Sequence, residues 1–76
     1  MLARICEVAS LILNVPLNSI NAQSSAENLA KWDSLNQLKL ALALEEEFNL
    51  FFSDEDIVEM ESIQKILDIL QKYLGK

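Results

Sequence analysis

The chain has no histidine, and Cys6 is its only cysteine. Those shortages exclude a disulfide within the chain, a Cys/His zinc site and any Ser-His or Cys-His nucleophile pair built from its own residues. An unpaired cysteine fits a reducing compartment, and with little basic charge nearby in sequence Cys6 reads as a small core or boundary residue. Glycine is equally scarce. Asp54-x-Asp56 has neither the third ligand nor the following glycine of a calcium loop, the sole glycine being Gly75, so it reads as a solvated helix start. Lysine and arginine together number 6 against 12 acidic residues, a net charge of −6. That balance argues against nucleic acid and for partners with basic faces. No segment approaches the roughly 18 uncharged apolar residues of a membrane span. The first apolar run is broken by Glu7 with no cleavage pattern after it, so no signal peptide and a cytoplasmic location are expected.

What is present is apolar residues at helical spacing. They make up 51% of the 76 residues, enough for one folded domain, 1–76, that buries about 60% of its extended surface. A chain this short has no room for a cleft between two lobes, and a monomer is expected. Leu2, Ile5, Ala9 and Ile12, widened by Cys6, Val8 and Leu13, predict a helix over Leu2–Leu13 that Asn14 and Pro16 end. Residues 14–33 form a long polar connection. Such a loop is functional or pinned, and pinning is expected through Val15, Leu17 and Ile20, a Ser24-x-x-Glu27 capping box, and the anchors Leu29 and Trp32.

A second helix is predicted from Ser34 to about Phe48. Asp33 can accept the orphan amide protons of its first turn. Leu40, Ala41, Leu44 and Phe48 share one sector and Leu35, Leu38 and Leu42 an adjoining one, leaving Asn36, Lys39, Ala43, Glu46 and Glu47 as a narrow polar strip. So wide an apolar arc suits a central helix whose second sector, near Ser34, meets a ligand or a visiting protein. After the break at Asn49 and the apolar Leu50, Phe51 and Phe52, Ser53 caps a short helix that turns Ile57 and Met60 inward. Ser62 caps a last one along Ile63, Ile66, Leu67, Leu70 and Leu74, with Gly75 at its end. Without a strand pattern, the fold expected is all-α: a small antiparallel four-helix bundle of three main helices and one short one, with a long first loop.

The chemistry centres on Ser34. In its plainer reading it is a cap, since Ser34-x-x-Gln37 would serve as a capping box. A serine without a base is no hydrolase nucleophile. It can be modified by another enzyme, and a helix N-terminus suits an attached phosphate.

Trp32-Asp33-Ser34-Leu35, followed by Leu38, Leu40, Leu42, Ala43, Leu44 and Glu45-Glu46-Glu47-Phe48, resembles the Asp-Ser-Leu helix of acyl carrier proteins. The likeness continues through Asp54-Glu55 and Ser62-Ile63-Gln64 and covers essentially the whole chain. It implies that Ser34 carries 4′-phosphopantetheine, derived from coenzyme A and attached by a separate phosphopantetheinyl transferase. The arm's thiol would hold acyl groups as thioesters for partner enzymes of fatty-acid, polyketide or related biosynthesis. The chain would be a carrier and not an enzyme. Acyl-loading and acyl-using enzymes with basic faces are the implied partners, met through Asp33, Leu35, Leu38, Lys39, Leu42, Glu45 and Glu46.

Two departures point to a specialised member. Lys31 and Trp32 stand where the family has glycine and its successor, and Asn36 and Lys39 replace acidic residues near the helix start. Two alternatives stay open: an aminoacyl or peptidyl carrier of the same family, and a non-catalytic helical interaction module with Ser34 unmodified. Repulsion between Glu45, Glu46 and Glu47 and the acids of the short helix is a further expectation.

Overall fold

The computed structural model describes residues 1–75, which form four helices in a body of 30 × 22 × 19 Å. They are α1 (Leu2–Leu13), α2 (Ser34–Phe48), α3 (Asp54–Glu59) and α4 (Ile63–Tyr73). Among the described residues no helix is long and apolar enough to cross a membrane. The all-α bundle with a long first loop is thus as expected from the apolar spacing.

Each helix end has a local cause. Asp33, Ser53 and Ser62 each accept an N–H three residues on, from Asn36, Asp56 and Lys65, which satisfies one orphan donor of each first turn. Asn14 and Asn49 close α1 and α2 in the left-handed conformation, both at φ 56°, a region that asparagine tolerates better than most residues. Gly75, at φ 88°, follows α4.

The core is drawn from every main helix. Ile5, Ala9, Leu40, Ala41, Leu44, Ile63, Ile66 and Leu70 are almost wholly buried, as is Met60 beyond α3. Arg4, at the start of α1, pairs with Glu47 at the end of α2, so these two helices run antiparallel. Several expected inward residues stay outside: Leu2, Leu17 and Leu74 are exposed, because they lie at element ends where nothing packs over them. Leu74 follows the last turn of α4 and does not extend its stripe.

The loop of residues 14–33 is pinned, but partly by other contacts than the spacing predicts. It leaves and returns at one end of the bundle, where Lys31 Nζ reaches the Asn14 carbonyl at 3.5 Å. Between those points it lies against the α3–α4 linker: the Ala26 N–H donates to the Glu61 carbonyl and the Ile63 N–H to the Ser24 carbonyl, both at 2.9 Å. The Ser24-x-x-Glu27 capping box does not form. Ser24 is buried, and its hydroxyl oxygen accepts from the Asn21 N–H. The Glu27 N–H donates to the Ser25 hydroxyl instead, one residue along, because the Ser24 hydroxyl is already engaged by the Asn21 N–H.

Candidate functional site

Ser34 is the first residue of α2 and is exposed. The capping box with Gln37 is absent, because Asp33 is the cap: its Oδ1 accepts the Asn36 N–H at 2.8 Å. The Ser34 hydroxyl is therefore not consumed by the cap. Its own N–H and that of Leu35 precede the first intrahelical carbonyl, so this end of α2 offers unpartnered donors and the positive end of the helix dipole. Behind the serine, Asn36 Nδ2 donates to the Lys31 carbonyl at 2.8 Å and ties α2 to the end of the loop.

Trp32 is 2% exposed, an anchor beneath the site. Its indole Nε1 donates to Gln37 Oε1 at 3.2 Å, and Gln37 Nε2 donates in turn to the carbonyls of Ile57 and Val58 at 3.0 and 3.1 Å. The spacing gave Gln37 only a capping role; its reach to α3 spans twenty residues of sequence and has no local signal. Ser34, Trp32 and Gln37 border an open groove of about 860 Å³, closed on its other sides by Ile57 and Val58 of α3 and by Ser62 and Lys65 at the start of α4.

Leu35, Leu38 and Leu42 are 61%, 45% and 52% exposed, a contiguous apolar stripe at i, i+3 and i+7 descending from the serine. Lys39 is exposed beside it. The acidic residues expected to recognise partners divide. Glu46 is exposed, but Glu45 is half-buried and its Oε2 accepts the Phe52 N–H at 2.8 Å. Glu45 therefore shapes the α2–α3 connection. Glu47 faces Arg4, which holds its carboxyl below the usual carboxylate range.

Of these three acids Glu47 is thus paired with Arg4 and Glu45 with the Phe52 amide. Asp56 is no solvated first-turn residue either. Tyr73 donates to its Oδ2 at 2.7 Å and Lys72 to its Oδ1 at 3.2 Å, and the Tyr73 hydrogen bond is the main cause of a lowered Asp56 pKa. Cys6 is buried in the core, and desolvation pushes its thiol up, away from reactivity.

An exposed hydroxyl at a helix start thus lies beside an open groove and an exposed leucine stripe. Residues 3–70 match the family of the phosphopantetheine attachment site. An acyl carrier protein of Buchnera aphidicola subsp. Schizaphis graminum is 34% identical over 67 residues, covering 88% of this chain and 85% of that one. The acyl carrier protein of Buchnera aphidicola subsp. Baizongia pistaciae is 45% identical over 42 residues, 55% of this chain and 54% of that one. Acyl carrier protein 3, chloroplastic, of Cuphea lanceolata is 30% identical over 73 residues, 95% of this chain. The chain spans about half the length of the Baizongia and Cuphea relatives. A solved chain described as a candidate acyl carrier protein of Mycobacterium tuberculosis superposes with a TM-score of 0.81 over 96% of this chain and 99% of its own, at 20% identity, and so shares the fold.

The chain belongs to the acyl carrier protein family of phosphopantetheine-bearing proteins. Its members carry 4′-phosphopantetheine covalently and are used by separate enzymes instead of catalysing a reaction themselves. Phosphopantetheinyl transferases and acyl-handling enzymes are the family's partners.

Proposed function

We propose that Ser34 is the residue that receives 4′-phosphopantetheine, and that the chain delivers acyl groups to partner enzymes of fatty-acid, polyketide or related biosynthesis in the cytoplasm as a monomer. The observation that carries this reading is the exposed Ser34 hydroxyl, left out of the α2 cap because Asp33 makes it. The residues fit the group. A phosphodiester on Ser34 would sit at the positive end of α2, and the groove beside it leaves the arm unobstructed. When attached, the arm supplies a thiol that holds the acyl group as a thioester; the metal and base for attachment belong to the transferase.

The chain's own residues present this arm. Asp33 fixes the start of α2, and Asn36 holds it to Lys31. Leu35, Leu38 and Leu42 offer apolar contact to a docking enzyme, while Glu46 attracts basic side chains. Lys39 sets a cation amid that surface and selects against enzyme faces built to meet an acid.

Incubation with coenzyme A and a broad-specificity phosphopantetheinyl transferase, followed by peptide mass spectrometry, tests the assignment. One phosphopantetheinyl group on Ser34 is expected. An unmodified chain that still captures a helical partner would establish the interaction-module reading, and a chain loaded only by aminoacyl-activating enzymes the aminoacyl or peptidyl one.

A further inference from the structure

We propose that Gln37 is a clasp that keeps the carried group outside the helical bundle, so that the chain serves short or polar acyl groups and not long alkyl ones. The proposal rests on Ser34 being the attachment residue. One side-chain amide joins three segments here. It accepts from the Trp32 indole and donates both protons to the carbonyls of Ile57 and Val58, which uses its whole donor capacity.

The Val58 carbonyl has a reason to need it, while that of Ile57 already accepts the Met60 N–H at 3.2 Å. A helix of six residues cannot satisfy its last carbonyls internally, and α3 contains no buried residue of its own. The amide from α2 supplies the missing donor to Val58, adds a second one to Ile57 and closes the seam between the two helices. Next to Ser34 the surface is thus an open groove with a hydrogen-bonded wall, not a passage into the core. A long alkyl chain entering between α2 and α3 would pull the amide from both carbonyls and from the indole, and strand the amide, the indole N–H and the Val58 carbonyl against hydrocarbon. A short, hydroxylated or amine-bearing group meets no such penalty in the open groove, whose far wall offers Glu61 and Lys65, an ion pair at 3.7 Å.

The test compares the protein loaded on Ser34 with acetyl, 3-hydroxybutyryl and octanoyl arms. Loading is confirmed by mass first, so failure to modify Ser34 is recognised as failure of the carrier assignment before the clasp is tested. In the wild type, octanoyl and acetyl forms should melt within about 1 °C of each other, whereas a chain packed inside the bundle would raise the midpoint by about 5 °C. Gln37→Met keeps side-chain length and helix propensity but has no amide, and its octanoyl form should gain that stabilisation over its acetyl form. A merely structural role would lower every loaded form alike and leave the octanoyl-to-acetyl difference unchanged. The clasp is overturned if octanoyl stabilises the wild type as much as the variant, or stabilises neither. Should Gln37→Met not fold, Gln37→Glu retains the acceptor for Trp32 and removes the donors to α3, and the same two outcomes decide.

Discussion

Helices α2 and α4 are both rich in leucine and isoleucine, yet they use them differently. In α4, Ile63, Ile66 and Leu70 are wholly buried, and the polar residues Gln64, Lys65, Asp68 and Gln71 are exposed. In α2, Leu40, Ala41 and Leu44 enter the core while Leu35, Leu38 and Leu42 remain exposed. The last helix is an ordinary amphipathic wall. The one that begins with Ser34 has a second apolar face that the fold leaves uncovered, as expected of a surface used by visiting proteins.

The sharpest separation of the two helices comes from removing the hydroxyl. Ser34→Ala should fold with an unchanged melting midpoint and take up no phosphopantetheine, read by intact mass. Label on Ser10, Ser19, Ser24, Ser25, Ser53 or Ser62 in that variant would contradict the assignment.

Truncating one leucine on each helix comes next. Leu70→Ala should destabilise by about 2–5 kcal/mol, because it opens a cavity in a fully buried site. Leu42→Ala should stay within about 0.5 kcal/mol in urea unfolding, yet slow acyl transfer to a cognate enzyme. Equal losses of stability would mean that the α2 stripe is packed in solution.

A smaller effect concerns the tie between α4 and α3. The Tyr73 hydroxyl accepts the Ser53 N–H at 2.8 Å and donates to Asp56, while its ring packs edge-on to Phe52. Tyr73→Phe preserves the ring contact and should cost about 1 kcal/mol per lost hydrogen bond at neutral pH. The lowered Asp56 pKa fixes the pH dependence: its contribution is complete above the ordinary carboxylate value of 3.8 and is lost as pH falls through the lower native value. The gap between wild type and Tyr73→Phe should therefore narrow in acid, and a gap that widens there would refute the coupling.

The smallest effect belongs to Lys39. Lys39→Glu should speed transfer with housekeeping fatty-acid enzymes and slow it with the cognate one, by about 1 kcal/mol or less because the side chain is exposed and screened. Both changes should shrink at high salt. Identical rates with every enzyme would make Lys39 a solvated surface residue.

Where local rules decide, the residues were readable. Ser53 and Ser62 cap their helices, the asparagines close α1 and α2, and Trp32 is an anchor. Periodicity also separated the two apolar sectors of α2, because side-chain direction on a helix follows from position alone. A choice stayed open where two side chains compete for one role. Both Asp33 and Ser34 could cap α2, and the structure gives the cap to Asp33, which frees the serine.

The sequence by itself determined four helices, the caps at Ser53 and Ser62 and the serine at the head of α2, since each depends on interactions within a few residues. Only the tertiary structure decided that Gln37 would clasp α3, that Glu45 would hold the Phe52 amide, and that Asp56 would meet Tyr73. The same holds for the groove beside Ser34, which draws its walls from the long loop, α2, α3 and α4. Those contacts depend on the packing of segments distant in sequence, and a side chain's long-range partner is set by the orientation of whole helices and not by its neighbours along the chain.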